Sequence, residues 1–178
     1  MATKSKKSTV RKTSSKITKS KRTKILCVSH KEDADGISSA ALIKQAFGGD
    51  TILVDYPGMM DELEALRNDV KLKKLFICDV GLNKQTNDSF VDLLTELRKK
   101  RISVTYVDHH DIDPKVATKL KKIKVNLIHD ISECTAVLVY DAFKKKLSER
   151  STFIAACGAI TDYMENRPIA SKLLQMYD

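Results

Sequence analysis

The sequence predicts an α/β fold: an open, mainly parallel five-stranded sheet flanked by helices and closed by a C-terminal helical portion. Three observations carry this expectation. Short β-like runs alternate with longer segments of helical period. The runs are continuously apolar instead of alternating, as strands are when helices cover both faces of a parallel sheet. From about Glu133 onward the runs stop and only helical patterns follow.

The strand candidates are Lys24 to Ser29 (KILCVS), Thr51 to Asp55 (TILVD), Lys74 to Asp79 (KLFICD), Ile102 to Asp108 (ISVTYVD) and Val125 to Ile128 (VNLI). Between them, Ile37 to Phe47, Met59 to Asn68, Gln85 to Lys100 and Pro114 to Lys121 read as helices. Phe90, Leu93, Leu94 and Leu97 recur at i, i+3, i+4 and i+7, one face of a helix. The closing helical segments are Thr135 to Lys146, Thr152 to Glu165 and Ile169 to Met176.

With 178 residues, 42% of them apolar, the chain can bury one core of domain size, assigned here to residues 24–178. The formal charge of +9 comes from one segment. Residues 1–24 hold ten Lys or Arg and no acid, and the remainder has 22 bases against 23 acids. Residues 1–23 are rich in Lys, Ser and Thr, with one Val and one Ile as their large apolar side chains, so burial cannot offset their ordering entropy and a disordered basic tail is expected. Such a tail can hold anionic polymers electrostatically. No stretch approaches about 18 uncharged apolar residues, and no secretory signal core is present, which predicts a soluble, cytoplasmic protein without membrane partners. Cys27, Cys78, Cys134 and Cys157 are scattered without a CxxC pair and read as reduced, buried thiols.

The chemistry gathers at strand ends, where ligands collect in an open parallel sheet. The first strand runs into His30-Lys31-Glu32-Asp33-Ala34-Asp35-Gly36, the third ends at Asp79, and the fourth ends at Asp108-His109-His110. Asp33 and Asp35 are two apart, so an extended loop would point both carboxylates the same way. Asp162, in Gly158-Ala159-Ile160-Thr161-Asp162, can join from the helical portion. Carboxylates packed this closely repel one another unless a cation lies between them. A carboxylate and imidazole set without thiolates suits manganese, magnesium or iron. The donors outnumber the needs of one ion, and two cations about 3.5 to 4 Å apart are the usual arrangement for phosphoryl hydrolysis. Glu32 and Asp111 read as solvated, and His129 as a satisfied loop residue.

These residues resemble the DHH phosphoesterase superfamily, which includes RecJ-type exonucleases, oligoribonucleases, cyclic-dinucleotide phosphodiesterases and manganese-dependent inorganic pyrophosphatases. The resemblance covers roughly residues 24 to 165 through four motifs in order: His30 to Gly36, Asp79, Asp108-His109-His110, and Gly158 to Asp162. It implies two manganese ions, with magnesium as a substitute. His30 and Asp33 would bind one, Asp35, His109 and Asp162 the other, and Asp79 both. His110 would face the scissile phosphate and Asp108 would orient a ligand histidine. The activity implied is hydrolysis of phosphodiester or phosphomonoester bonds by a metal-activated hydroxide, on single-stranded nucleic acid, oligonucleotides or nucleotides. Family members usually carry a C-terminal substrate-gripping domain with a glycine-rich, histidine-ending loop. The chain ends at Asp178 and its last glycine is Gly158, so that half is expected from a partner chain or to be absent.

Two other readings are open at this point. A receiver-like signalling domain also uses an acid pair after its first strand and an Asp after its third, but its fourth strand should end in Ser or Thr, where this one ends in Asp-His-His. A non-catalytic nucleic-acid-binding domain would use the basic tail and keep the acidic cluster without turnover.

Overall fold

A computed structural model describes residues 24–177. The tail expected over residues 1–23 lies outside the described residues. Five strands form one sheet: β1 (Lys24–His30), β2 (Asp50–Val54), β3 (Leu72–Cys78), β4 (Ser103–Asp108) and β5 (Asn126–His129). Their order is β2-β1-β3-β4-β5 and every pairing is parallel. The helices are α1 (Ala34–Phe47), α2 (Tyr56–Ala65), α3 (Asn87–Lys99), α4 (Pro114–Lys122), α5 (Thr135–Phe143), α6 (Ser151–Thr161) and α7 (Pro168–Leu174). No helix among the described residues is long and apolar enough to cross a membrane.

The continuous apolar runs are explained by burial on both faces. In β3, Leu75 and Ile77 join a core with Leu63, Phe90, Leu94, Leu97 and Tyr106, beneath α2, α3 and α4. Phe76 and Cys78 point the other way, into a core with Val107 of β4 and with Ile43, Val137, Ala155 and Ala159 from the remaining helices. Truncating Phe76, which is fully buried, to alanine would cost about 3 to 5 kcal/mol. Cys27, Cys78 and Cys134 are buried free thiols, as expected, and Cys157 is a partly exposed one.

This strand order places β1 and β3 side by side, with the connections departing to opposite sides of the sheet. A crevice opens beyond their carboxyl ends, where this topology gathers ligands. His30 closes β1 and Asp79 follows β3 directly.

Candidate metal centre

His30 ends β1 and the chain turns at once into α1. Asp33 sits in extended backbone, φ −127°, and caps the helix by accepting the Gly36 N–H at 2.8 Å through Oδ1. Its Oδ2 lies 3.0 Å from His30 Nδ1. The cap starts α1 at Ala34, not at Ile37, and Asp33 and Asp35 therefore do not share a face as an extended loop would require. Asp35 lies in the first helical turn, buried, and its two oxygens accept the N–H groups of Thr135 and Ala136 at 2.8 Å each. The amino end of α5 thus receives a buried carboxyl group. Gly36 makes the turn possible, because a Cβ there would stand 2.4 Å from the His30 carbonyl oxygen.

Asp79 leaves β3 in left-handed backbone, φ 55°, a conformation that costs a non-glycine residue about 1 to 2 kcal/mol. Such strain persists where the surroundings hold it. Here the Asp79 N–H bonds the Val107 carbonyl at 3.0 Å, and the Thr135 hydroxyl donates to Asp79 Oδ1 at 3.1 Å. Two residues on, Gly81 lets other groups close over it: a Cβ would lie 3.0 Å from His110 Cγ and 3.2 Å from the Tyr56 hydroxyl oxygen. The Tyr56 ring also packs on His30, with centroids 4.9 Å apart.

Buried Asp108 ends β4. Its Oδ1 lies 2.9 Å from His110 Nδ1 and its Oδ2 lies 3.0 Å from the Tyr106 hydroxyl. Asp108 therefore orients His110. His109 stands between two acids, with Nε2 3.6 Å from Asp79 Oδ1 and Nδ1 3.5 Å from Asp162 Oδ2. Asp162 is the C-cap of α6, where the Met164 N–H returns to the Ala159 carbonyl at 2.8 Å and Tyr163 takes the left-handed position, φ 55°. His129 Nε2 lies 2.7 Å from the His110 carbonyl oxygen, a satisfied residue as expected, although it ends β5 and is not in a loop. Glu32 and Asp111 are exposed.

The candidate donors fall into three groups whose ligand atoms lie within 4.8 Å of one another: His30, Asp33 and Asp79; Asp35, His109 and Asp162; and Asp79, His109 and His110. Charge is expensive in this cluster. Burial, followed by the charges of Asp35, Asp33 and Asp108, pushes the Asp79 carboxyl up to about 9. Burial raises Asp35, opposed by the Ala136 N–H, and burial then Asp33 raise Asp162. Burial and the neighbouring His110 lower His109, whereas the hydrogen bond to Asp108 raises His110. Buried polar atoms are nearly always hydrogen-bonded, yet His30 Nε2 and Asp79 Oδ2 are buried without a partner. A lone pair on an imidazole nitrogen and a free carboxylate oxygen are what a divalent cation takes, so the residues present fit one. The nearby Cys134 thiol is pushed far up by burial, and so stays protonated and offers no thiolate.

Thr135, Ala136, Tyr56 and Tyr106 were not singled out in the sequence, and Gly158 was read only as the start of the fourth motif. Gly158 is the contact point of the helical layer: a Cβ there would lie 2.7 Å from the Ala136 Cβ and 2.8 Å from Asp35 Oδ1. A polar Thr at the start of the apolar segment 135–143 is the one local signal that could have drawn notice to that end of α5.

A sequence profile described as DHH family, N-terminal domain, matches residues 24–170. Among solved structures, an uncharacterized protein from Helicobacter pylori G27 is similar in fold, with a TM-score of 0.60 and 19% identity over 84% of this chain. The chain spans 46% of that structure's length. No curated protein matches it.

Proposed function

The chain belongs to the DHH family, and from that premise we propose that it is a metal-dependent phosphoesterase acting on phosphodiester or phosphomonoester bonds in nucleic acid, short oligonucleotides or nucleotides. His30 and Asp33 would hold one divalent cation, Asp35, His109 and Asp162 a second, and Asp79 would serve both, with manganese the proposed ion and magnesium its substitute. The observation that carries this reading is the pair of buried, unpartnered atoms, His30 Nε2 and Asp79 Oδ2, beside the carboxylates of Asp35, Asp33 and Asp108, whose charges raise the proton affinity of Asp79.

A bound cation pair supplies charge neutralisation at phosphate oxygens and a water acidic enough to attack near neutral pH. The chain's own groups do the rest. Asp108 fixes the His110 ring through Nδ1 and favours its charged form, which leaves Nε2–H to donate to a phosphate oxygen as negative charge builds there. Thr135 holds Asp79 in its strained rotation, and the N–H groups of Thr135 and Ala136 fix the Asp35 carboxylate and oppose the upward push of its burial. No covalent intermediate is needed.

The test is phosphate or nucleotide release with manganese from a panel of single-stranded DNA, short RNA, a cyclic dinucleotide, 3′-phosphoadenosine 5′-phosphate and pyrophosphate. The native chain should release product from a nucleotidic member of the panel only with metal, and Asp79→Ala should abolish release. Equal release by the two proteins would end the enzymatic reading and leave a nucleic-acid-binding domain in its place.

A further inference from the structure

The parallel strands sort charge along their length. β1 begins at Lys24. β3 begins through Lys71, Lys73 and Lys74, β4 follows Lys99, Lys100 and Arg101, and β5 follows Lys121, Lys122 and Lys124. Only β2 starts without cations, at Asp50 after Gly48-Gly49. At their other ends the strands give way to Asp33 and Asp35, Asp55, Asp79, Asp108, and Asp130. Since all five run the same way, the acids of the metal centre occupy one edge of the sheet and the cations the opposite edge. Five residues of strand separate Lys74 from Asp79, about 17 Å.

Two helices, α1 and α5, end at the cationic edge in phenylalanines, and lysine ammonium groups lie over the Phe47 ring. Phe47, last in α1, packs on Phe76 and Phe143 with centroids 4.7 and 5.0 Å away. The Lys74 ammonium lies 4.0 Å from the Phe47 centroid and the Lys146 ammonium 5.4 Å from the same centroid. Neither makes an ion pair among the described residues. Lys146 and Arg150 line a cavity of about 500 Å³ together with Gln45, Ser148 and Ile154. Glu149 is the only acid between Lys144 and Arg150, and it pairs with none of these cations among the described residues. Like charges gathered without a counter-charge raise one another's energy, and an anion relieves them.

Phe153, which precedes the cavity-lining Ile154 in sequence, forms a pair of exposed aromatic rings with Tyr177. Phe153, in the first turn of α6 and three positions after Arg150, is 57% exposed and meets the 48% exposed Tyr177 edge to face at 5.5 Å. We infer that this edge, remote from the metal centre, binds single-stranded nucleic acid, with Lys74, Lys146 and Arg150 meeting phosphates and the Phe153–Tyr177 pair offering a face to an unpaired base. A single phosphate would not call for cations before four of five strands; a polymer does. A duplex keeps its base faces in its own stack, so exposed aromatic rings select a single strand. The inference goes beyond hydrolysis and does not depend on it.

The test is fluorescence anisotropy of a labelled 20-nucleotide single-stranded DNA with the full chain, over a series of salt concentrations and without metal. Lys146 and Arg150 are both exposed, so their removal leaves the core intact. In Lys146→Gln/Arg150→Gln, affinity at low salt should fall roughly tenfold or more, and the slope of log affinity against log salt should flatten by about 1.4, the contribution of two phosphate contacts. Phe153→Ala should weaken binding roughly tenfold with the slope unchanged, because stacking is not screened. Manganese content and turnover of a small phosphoester should stay at the native level in all variants. Unchanged affinity and slope in the double charge variant would overturn the inference. So would a silent Phe153→Ala together with equal competition by inorganic polyphosphate, which would make the ligand a polyanion of another class. Failure of hydrolysis alone would sink the phosphoesterase reading and leave this surface standing.

Discussion

Asp108 Oδ1 stands 2.9 Å from His110 Nδ1, a pairing inside one tripeptide that sets both the orientation and the charge of the second histidine. The hydrogen bond raises the His110 pKa above its usual value near 6.5. The imidazole is therefore charged below its folded pKa and loses charge as pH rises through it. Asp108→Asn should return the metal-free His110 titration toward the ordinary value, as read by its ring-proton chemical shift. It should also cost about 10- to 100-fold in turnover, as loss of an orienting partner typically does. An unmoved titration would show that Asp108 does not govern His110.

Asp79 makes the metal-free protein sensitive to base. Its carboxyl is pushed up to about 9 in the fold, by burial first and then by its acidic neighbours, against roughly 4 in an unfolded chain. A carboxyl with the higher pKa in the folded state binds its proton more tightly there, so its stabilising effect is complete below about pH 4 and is lost as pH rises toward 9. Asp35 and Asp162 are raised as well and act in the same direction. With chelator present, the melting temperature should fall from pH 5 to pH 9, Asp79→Asn should flatten that fall, and manganese should stabilise increasingly toward higher pH because the cation displaces protons. A chelated protein that becomes more stable over this range would contradict the assignment.

Two glycines separate packing from backbone freedom. A Cβ on Gly158 would collide with the Ala136 Cβ at 2.7 Å and with Asp35 Oδ1 at 2.8 Å. Gly158→Ala should cost about 1 to 3 kcal/mol in chemical denaturation and weaken manganese binding through Asp35. Gly48 has φ +70° and open space around it, so Gly48→Ala should cost about 1 kcal/mol or somewhat more with manganese affinity intact. Calorimetric titration of both variants distinguishes the two effects, and equal metal affinity in both would count against a role for the α5–α6 contact in the site.

The Tyr56 ring rests on His30 while its hydroxyl reaches over Gly81 toward His110. Tyr56→Phe keeps the ring and should keep manganese affinity. Tyr56→Ala frees His30 and should weaken manganese binding several-fold, by about 1 kcal/mol. If the alanine variant binds manganese as the native chain does, His30 is held by Asp33 alone.

The layout of sheet and helices could be read in advance because burial on both faces writes itself into contiguous apolar runs such as Leu75 to Cys78. The Asp-His-His segment was visible for a similar reason, since charge directly after an apolar run has no cheap structural explanation. The course of Asp33 to Asp35 was misread: period-two reasoning holds for extended chain, while an Asp followed by a free N–H three residues on prefers to cap. Thr135, Ala136 and Tyr56 were invisible because their roles depend on which helix end meets which carboxylate, and packing decides that.

The two hydrogen bonds from the amino end of α5 to Asp35 join residues about a hundred positions apart. On a ribosome, the first four strands can pair while that carboxylate still has no amide to receive it. If Asp162 is a ligand, as proposed, the donor set is complete only when the segment ending there has emerged, and a cation would then act as a final cross-link of the domain, not as a template for its early folding.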